Sequence, residues 1–217
     1  MKFSVVTAIV SLCVLQLVGA TSAGYYDEDN DGGNKCMNRA PKDPRPAFDL
    51  NGAIGIWSTD FNPKNFHAPI GTRIFRKKIT TPKRRGMCAV KARIIAFADD
   101  SLKFYVNGKV VGEAALQKKP VVTSFDAVLN PSENVFLIEG LNHPKHRGAG
   151  LVAAKILVEY SNGEREFFTT GLDWRVCPDT ETVTAEMSTP TFDDSKWGPP
   201  GDAKLSRYGA GVTRVQA

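Results

Sequence analysis

The chain has 217 residues, a formal net charge of +5, 24% charged and 42% hydrophobic residues, 19 glycines and 13 prolines. That is enough chain for one domain, or one domain with a tail, and enough to bury a core without many disulfides or a structural metal. Frequent Pro, Gly, Phe and Val without long helical periodicity favour an all-β domain, and no recognition-helix or RNA-binding signature points to nucleic acid.

Lys2 precedes an apolar run from Phe3 to Val18, which leads into Gly19-Ala20-Thr21-Ser22-Ala23. A charged start, apolar centre and small-residue end predict a secretory signal peptide over residues 1–23. The run is shorter than the ~20 residues of a spanning helix, so no membrane span is expected. The expected location is therefore extracellular. One lysine and no acid leave with the signal, so the mature charge becomes +4.

Residues 24–46 predict a flexible tail, acidic and then Pro-rich. Tyr25 to Gly33 lacks periodicity, and prolines follow at 41, 44 and 46. Such a stretch buries too little apolar surface to fold alone. Asp27, Asp29, Asp31 and Gly32 imitate half of an EF-hand loop. Its twelfth position is Asn38 rather than the bidentate Glu that calcium needs there.

The folded domain is expected over 47–217. Ile54 to Trp57 is a short apolar run, and Arg73 to Ile79 reads as an edge-like strand with charges between apolar residues. Cys88 to Phe97 follows. Leu102, Phe104 and Val106 then alternate with Lys103 and Tyr105, and Asn107-Gly108 turns the chain into Lys109-Val110-Val111. Asn-Gly between alternating runs predicts a hairpin, because both turn positions need positive φ. Asn134 to Leu141 and Leu151 to Tyr160 predict longer strands, with a second hairpin at Asn162-Gly163 into Glu164–Thr170. Recurrent strands with turns between them predict a β-sandwich or jelly roll. Glu181 to Lys204 is polar and reads as a long surface loop.

Cys13 lies in the signal, leaving Cys36, Cys88 and Cys177. An oxidising route predicts one disulfide and one leftover thiol, with all three pairings open. Basic residues cluster at Arg76-Lys77-Lys78, Lys83-Arg84-Arg85 and Lys145-His146-Arg147. They either attract anionic glycans or acidic surfaces, or form a solvated face.

Several stretches in order resemble the galactose-binding-like jelly-roll module. They include Ile54-Gly55-Ile56-Trp57-Ser58, Gly71 to Lys77, and Ala98-Asp99-Asp100-Ser101-Leu102-Lys103-Phe104-Tyr105-Val106-Asn107-Gly108-Lys109. Glu133 to Phe136, Glu139 to Asn142, Gly150 to Ala154, Thr170 to Arg175, and Phe192-Asp193-Asp194-Ser195-Lys196-Trp197 complete the series. This module accompanies catalytic domains in α-L-rhamnosidases and β-galactosidases and resembles stand-alone secreted fungal proteins. The resemblance covers about residues 50–210 and implies a non-catalytic jelly-roll β-sandwich. Its motifs identify a fold more than a ligand, because turns and end-plugging tryptophans (Trp57, Trp174, Trp197) account for much of the pattern.

A sugar site needs an aromatic plane beside directed hydrogen-bonding groups. Loop residues with that chemistry are Trp57, Asp60, His67, Asn142, His143, Trp174 and Arg175. Asp99 and Asp100 could supply oxygen ligands to calcium. His67, His143 and His146 are a sparse set for zinc. The acidic pairs Asp99-Asp100 and Asp193-Asp194 are adjacent in sequence, so in strands they point to opposite faces and make poor acid/base couples for a glycosidase. The expected function is a secreted lectin-like module that binds an extracellular or cell-wall glycan. The alternative is a protein-interaction or effector module that kept the fold and meets a host or cell-surface protein.

Overall fold

A computed structural model describes Cys36, Arg39 and residues 48–60, 67–115, 122–144, 148, 150–178 and 182–208. The expected signal peptide, the acidic part of the expected tail and the third basic cluster lie outside these residues. The described residues belong to one compact unit, residues 33–217.

Two antiparallel sheets face each other. The strands are β1 (Ile56–Trp57), β2 (Gly71–Thr80), β3 (Ala89–Asp99), β4 (Ser101–Val106), β5 (Lys109–Ala115), β6 (Thr123–Val128), β7 (Glu133–Asn142), β8 (Leu151–Tyr160), β9 (Arg165–Thr169), β10 (Arg175–Val176) and β11 (Gly201–Asp202). The first sheet runs β11-β1-β8-β3-β6, with β9 also on β8; the second runs β10-β2-β7-β4-β5. This is an all-β jelly-roll sandwich.

Alternation explains the core. Directly paired residues share a face. On the second sheet this lines up Phe75, Ile138 and Phe104; on the first it lines up Phe168, Ile156, Ile94 and Phe125. The sheets meet where Phe104 lies 6.4 Å from Phe125 and where Trp57 lies 5.8 Å from Phe75. Asn107 (φ 49°) and Gly108 (φ 80°) form the expected hairpin turn. The second hairpin is built differently: only Gly163 has positive φ, and Asn162 Oδ1 accepts the Glu164 amide at 3.0 Å.

Three expectations are corrected. The sequence reading assigned no strand to 123–128, yet β6 pairs there with β3. β2 is not a free edge, since β10 pairs outside it. Residues 181–204 are not simply a surface loop. They include a 3-10 helix, Glu186–Ser188, and they bury Met187 and Trp197 with Ile74, Val135, Leu137 and Cys177 on the outer face of the second sheet.

Arg76 holds this C-terminal strap. Its side chain is 2% exposed and points outward from β2. Nε donates to Met187 O at 2.9 Å, Nη2 to Thr189 O at 2.8 Å, and Nη1 pairs with Asp194. The Phe192 ring lies 5.4 Å from the guanidinium carbon. The motif around Trp197 is thus explained: Asp193 accepts the Ser195 amide, Asp194 holds Arg76, and Trp197 packs edge-on against Phe192. Replacing Arg76 with Ala strips a buried network of its charge and leaves two carbonyls unpaired, so it should cost about 3–5 kcal/mol. Denaturant unfolding measures this, and a loss below ~1 kcal/mol would contradict the strap's dependence on Arg76.

Cys36 and Cys88 form a disulfide with a Cα–Cα distance of 5.5 Å, and Cys177 is buried and free. Of the two described tail residues, Cys36 is therefore tied down, and Arg39 donates its amide to Ser161 O at 2.8 Å. In the chain lacking residues 1–23, alkylation of native protein should be slow. After denaturation without reduction, a single group should add, at Cys177. The bridge closes a separation of 52 residues, so reduction should cost up to about 4 kcal/mol. Three alkylated cysteines without reductant would exclude the bridge.

Candidate functional site

The register places one set of loops at one end of the sandwich. Gly71, which starts β2, pairs with Asn142, which ends β7; Asp99, which ends β3, pairs with Leu151, which starts β8. The β1–β2 connection, the Asp99–Ser101 turn and the β7–β8 connection therefore come together there.

Hydrogen bonds tie these loops to one another. The Asn142 amide nitrogen donates to Ala68 O at 2.9 Å and Pro69 O at 3.1 Å. The Ala68 amide reaches Gly148 O at 3.1 Å, and the His143 amide reaches Asp100 Oδ2 at 2.6 Å. Asp60 accepts from Ser58 and, at 3.1 Å, from Arg73. Burial alone would raise the Asp60 carboxyl, but the Ser58 and Arg73 hydrogen bonds, with the charge of Arg73, hold it below the usual range.

Asp60, His67, Asn142 and His143 thus share one end, and Asp99 and Asp100 join them. Asp60, His67 and Ile70 are exposed there, while His143 is partly exposed. Arg73 and Ser58 belong to the same network. The sequence reading placed Arg73 only as a strand charge; its spacing from Asp60 carries no signal until β1 and β2 are folded.

Four expected site residues sit elsewhere or beneath. Trp57 is 0% exposed and packs between the sheets under the loop end, so its faces are taken by protein. Trp174 is also 0% exposed and donates Nε1–H to Thr169 O at 3.0 Å. Neither indole offers a plane to a sugar. Arg175 is exposed on β10, paired with Arg76 near the middle of β2. Asn142 is 2% exposed and braces the loop rather than facing outward.

A shallow depression of about 310 Å³ adjoins this end on the outer face of the second sheet. Thr72, Ser101, Lys103, Glu113, Glu139 and Leu141 line it. Lys103 pairs in register with both Glu113 and Glu139. Tyr105 donates to Glu139 at 2.7 Å, and burial together with that carboxylate pushes its phenol up to about 12.

Among the described residues, no three His, Cys, Asp or Glu side chains gather around one point. Asp99 and Asp100 offer hard oxygens, the chemistry that suits calcium when backbone carbonyls complete the shell.

No family model matches the chain, and no curated protein matches it. Solved structures do. The lectin from Pleurotus ostreatus in complex with GalNAc is 30% identical over 83% of this chain and 51% of its own, with a TM-score of 0.68. The apo form of that lectin gives 28% identity over 84% and 52%, with a TM-score of 0.70. An α-L-rhamnosidase from Streptomyces avermitilis, complexed with L-rhamnose, gives 21% identity over 82% of this chain and 17% of its own, with a TM-score of 0.61. The fold is the galactose-binding-like jelly roll, the module that the sequence motifs resemble. The chain spans about half the length of the lectin chains it matches. No described helix is long and apolar enough to cross a membrane.

The bracing role of Asn142 is testable. Asn142→Ala leaves the Ala68 and Pro69 carbonyls without their donor, at a cost of about 1–3 kcal/mol. The expected result is a lower melting temperature and faster proteolytic cleavage in the β1–β2 connection. Unchanged stability and cleavage would show that the loop is held without it.

Proposed function

We propose that this chain is a secreted, non-catalytic, lectin-like module that binds an extracellular or cell-wall glycan at its loop end. The observation that carries the proposal is 30% identity, over 83% of this chain, to a lectin whose solved structure holds GalNAc. The loop end supports it chemically. Asp60, Arg73, His67 and His143 combine acceptors and donors, and Ile70 supplies apolar surface beside them. Sugars need that mixture, since their hydroxyls both donate and accept.

The reading itself needs no cofactor; calcium is an addition to it that the test below decides. Asp99 and Asp100, with backbone carbonyls, would hold the ion at the same end, where it could accept hydroxyl oxygens of a glycan.

The test is a glycan array on the secreted protein with calcium and with chelator, followed by titration with GalNAc. Binding at about 1 mM or tighter is expected, weaker with chelator. No response to any glycan in the presence of calcium would remove the proposal. Equal binding with chelator would remove the metal from it.

A second reading, a protein-interaction or effector module, is favoured by the burial of all three tryptophans, at 0%, 0% and 6% exposed. A failed array combined with capture of a defined host or cell-surface protein would select it.

A further inference from the structure

The opposite end of the sandwich carries a built basic surface, and we propose that it binds an acidic polysaccharide, one bearing carboxylates or sulfates. This second site is separate from the loop end. β2 joins the two ends over ten residues, about 30 Å of strand.

The fates of the basic clusters point to it. Arg76 is buried in the strap, Lys77 meets Asp173 at 2.5 Å, and Lys78 meets Glu133 at 3.3 Å. That cluster is neutralised within the chain. Lys83, Arg84 and Arg85 are all exposed. Only Arg84 has a carboxylate partner among the described residues, Glu164 at 3.3 Å, with the two side chains 65% and 51% exposed. An ion pair that open to water is worth little and yields readily to a competing anion.

The cluster stands on a rigid turn. The Arg84 amide donates to Pro82 O at 2.8 Å and the Met87 amide to Arg84 O at 3.0 Å. Gly86 supplies a φ of 73° that a side chain would strain against. Ser161 Oγ donates to Gly86 O and accepts the Cys88 amide. The Cys36–Cys88 bridge then brings in the segment holding Arg39, which is exposed and whose amide is fixed on Ser161 O. Four cationic side chains therefore project from backbone that ligand binding need not order, which lowers the entropic cost of association. The facing acids are Glu164 and Glu166, and Glu166 already accepts the Tyr160 hydroxyl at 2.8 Å.

A linear polyanion fits this surface better than a small anion. The described cations follow one another along a turn instead of converging on a point, and the depression beside them, lined by Arg84, Arg165, Tyr160, Glu164 and Glu166, is only about 200 Å³. The attraction is electrostatic and salt screens it.

The experiment measures binding of the full secreted protein to immobilised polygalacturonate, dextran sulfate and neutral dextran, with phosphatidylserine vesicles as a further arm. The wild type should bind one or both polyanions and not neutral dextran, and affinity should fall at least about tenfold between ~50 mM and ~300 mM salt. Binding to polygalacturonate alone would identify the carboxylate class, and binding to dextran sulfate alone the sulfate class. Lys83→Ser/Arg84→Ser/Arg85→Ser, checked for an unchanged melting temperature, should bind at least about tenfold more weakly. Lys83→Glu/Arg85→Glu, which keeps Arg84 with Glu164, should do the same. Neither variant should alter any GalNAc response, so loss of the loop-end reading would leave this one standing. Equal polyanion binding by both variants, no polyanion binding at low salt, or binding to vesicles but not to polysaccharide would overturn the proposal.

Discussion

The loop end of this protein depends on how Trp57 is packed. The indole fills the space between the two sheets, against Phe75 from the facing sheet. Two glycines make room for it. A Cβ at Gly150 would come within 2.4 Å of the ring, and one at Gly140 within 3.0 Å. Gly140 sits in β7 two residues before Asn142, and Gly150 precedes β8. The connection between these strands is therefore set down on the indole, and Asn142 then ties it to the β1–β2 connection. A residue chosen from sequence as a sugar platform acts instead as the floor on which the candidate site is assembled. Burial removes its ring face from any ligand while making the loop positions depend on it.

Arg76 does for the outer face of the second sheet what Trp57 does for the interior. A guanidinium removed from water needs partners, and its fork of donors finds them in two carbonyls and a carboxylate of the C-terminal strap. Removing either side would leave groups unsatisfied, so the strap stays where Ile74, Val135 and Leu137 can be covered. The upper part of the same face, around Thr72, Lys103, Glu113 and Glu139, stays open. There the charges balance across neighbouring strands, and the surface can remain hydrated without a covering segment.

Much of the fold was legible in the sequence because it rests on local signals. Asn107-Gly108 announced its turn through the backbone it requires, and β7 and β8 announced themselves by long apolar runs. β6 escaped because Phe125 and Ala127 are its only buried side chains, too few to register as a pattern. The strap escaped because Val183, Met187, Phe192 and Trp197 follow no period; they meet an outer sheet face that exists only after folding. The site was half legible for the same reason. Asp60, His67, Asn142 and His143 lie in loops that the strand order brings to one end, and loop chemistry was enough to select them. Trp174 and Arg175 satisfied the same chemical criterion but follow β9, where the chain crosses between sheets. Burial of the tryptophans depends on partners far away in sequence, which composition does not reveal.

The three basic clusters show why charge alone says little before folding. They are similar as strings of Lys and Arg. The strand β2 faces acids at Asp173, Asp194 and Glu133, so Arg76-Lys77-Lys78 becomes part of the framework. The turn after β2 projects past the sheet, where Glu164 is the one carboxylate paired with it among the described residues. A charge spent on an internal partner stabilises the fold and is lost to the solvent field; a charge left over attracts whatever opposite charge arrives. The strand thus carries framework cations along its length, and the turn after it carries Lys83 and Arg85, which have no carboxylate partner among the described residues. The disulfide brings the exposed Arg39 to the same end by joining its segment there. The two ends of the sandwich consequently differ in kind. One mixes carboxylates, imidazoles and a braced amide, and the other groups exposed cations on fixed backbone, with Arg84 the one paired to a carboxylate among the described residues.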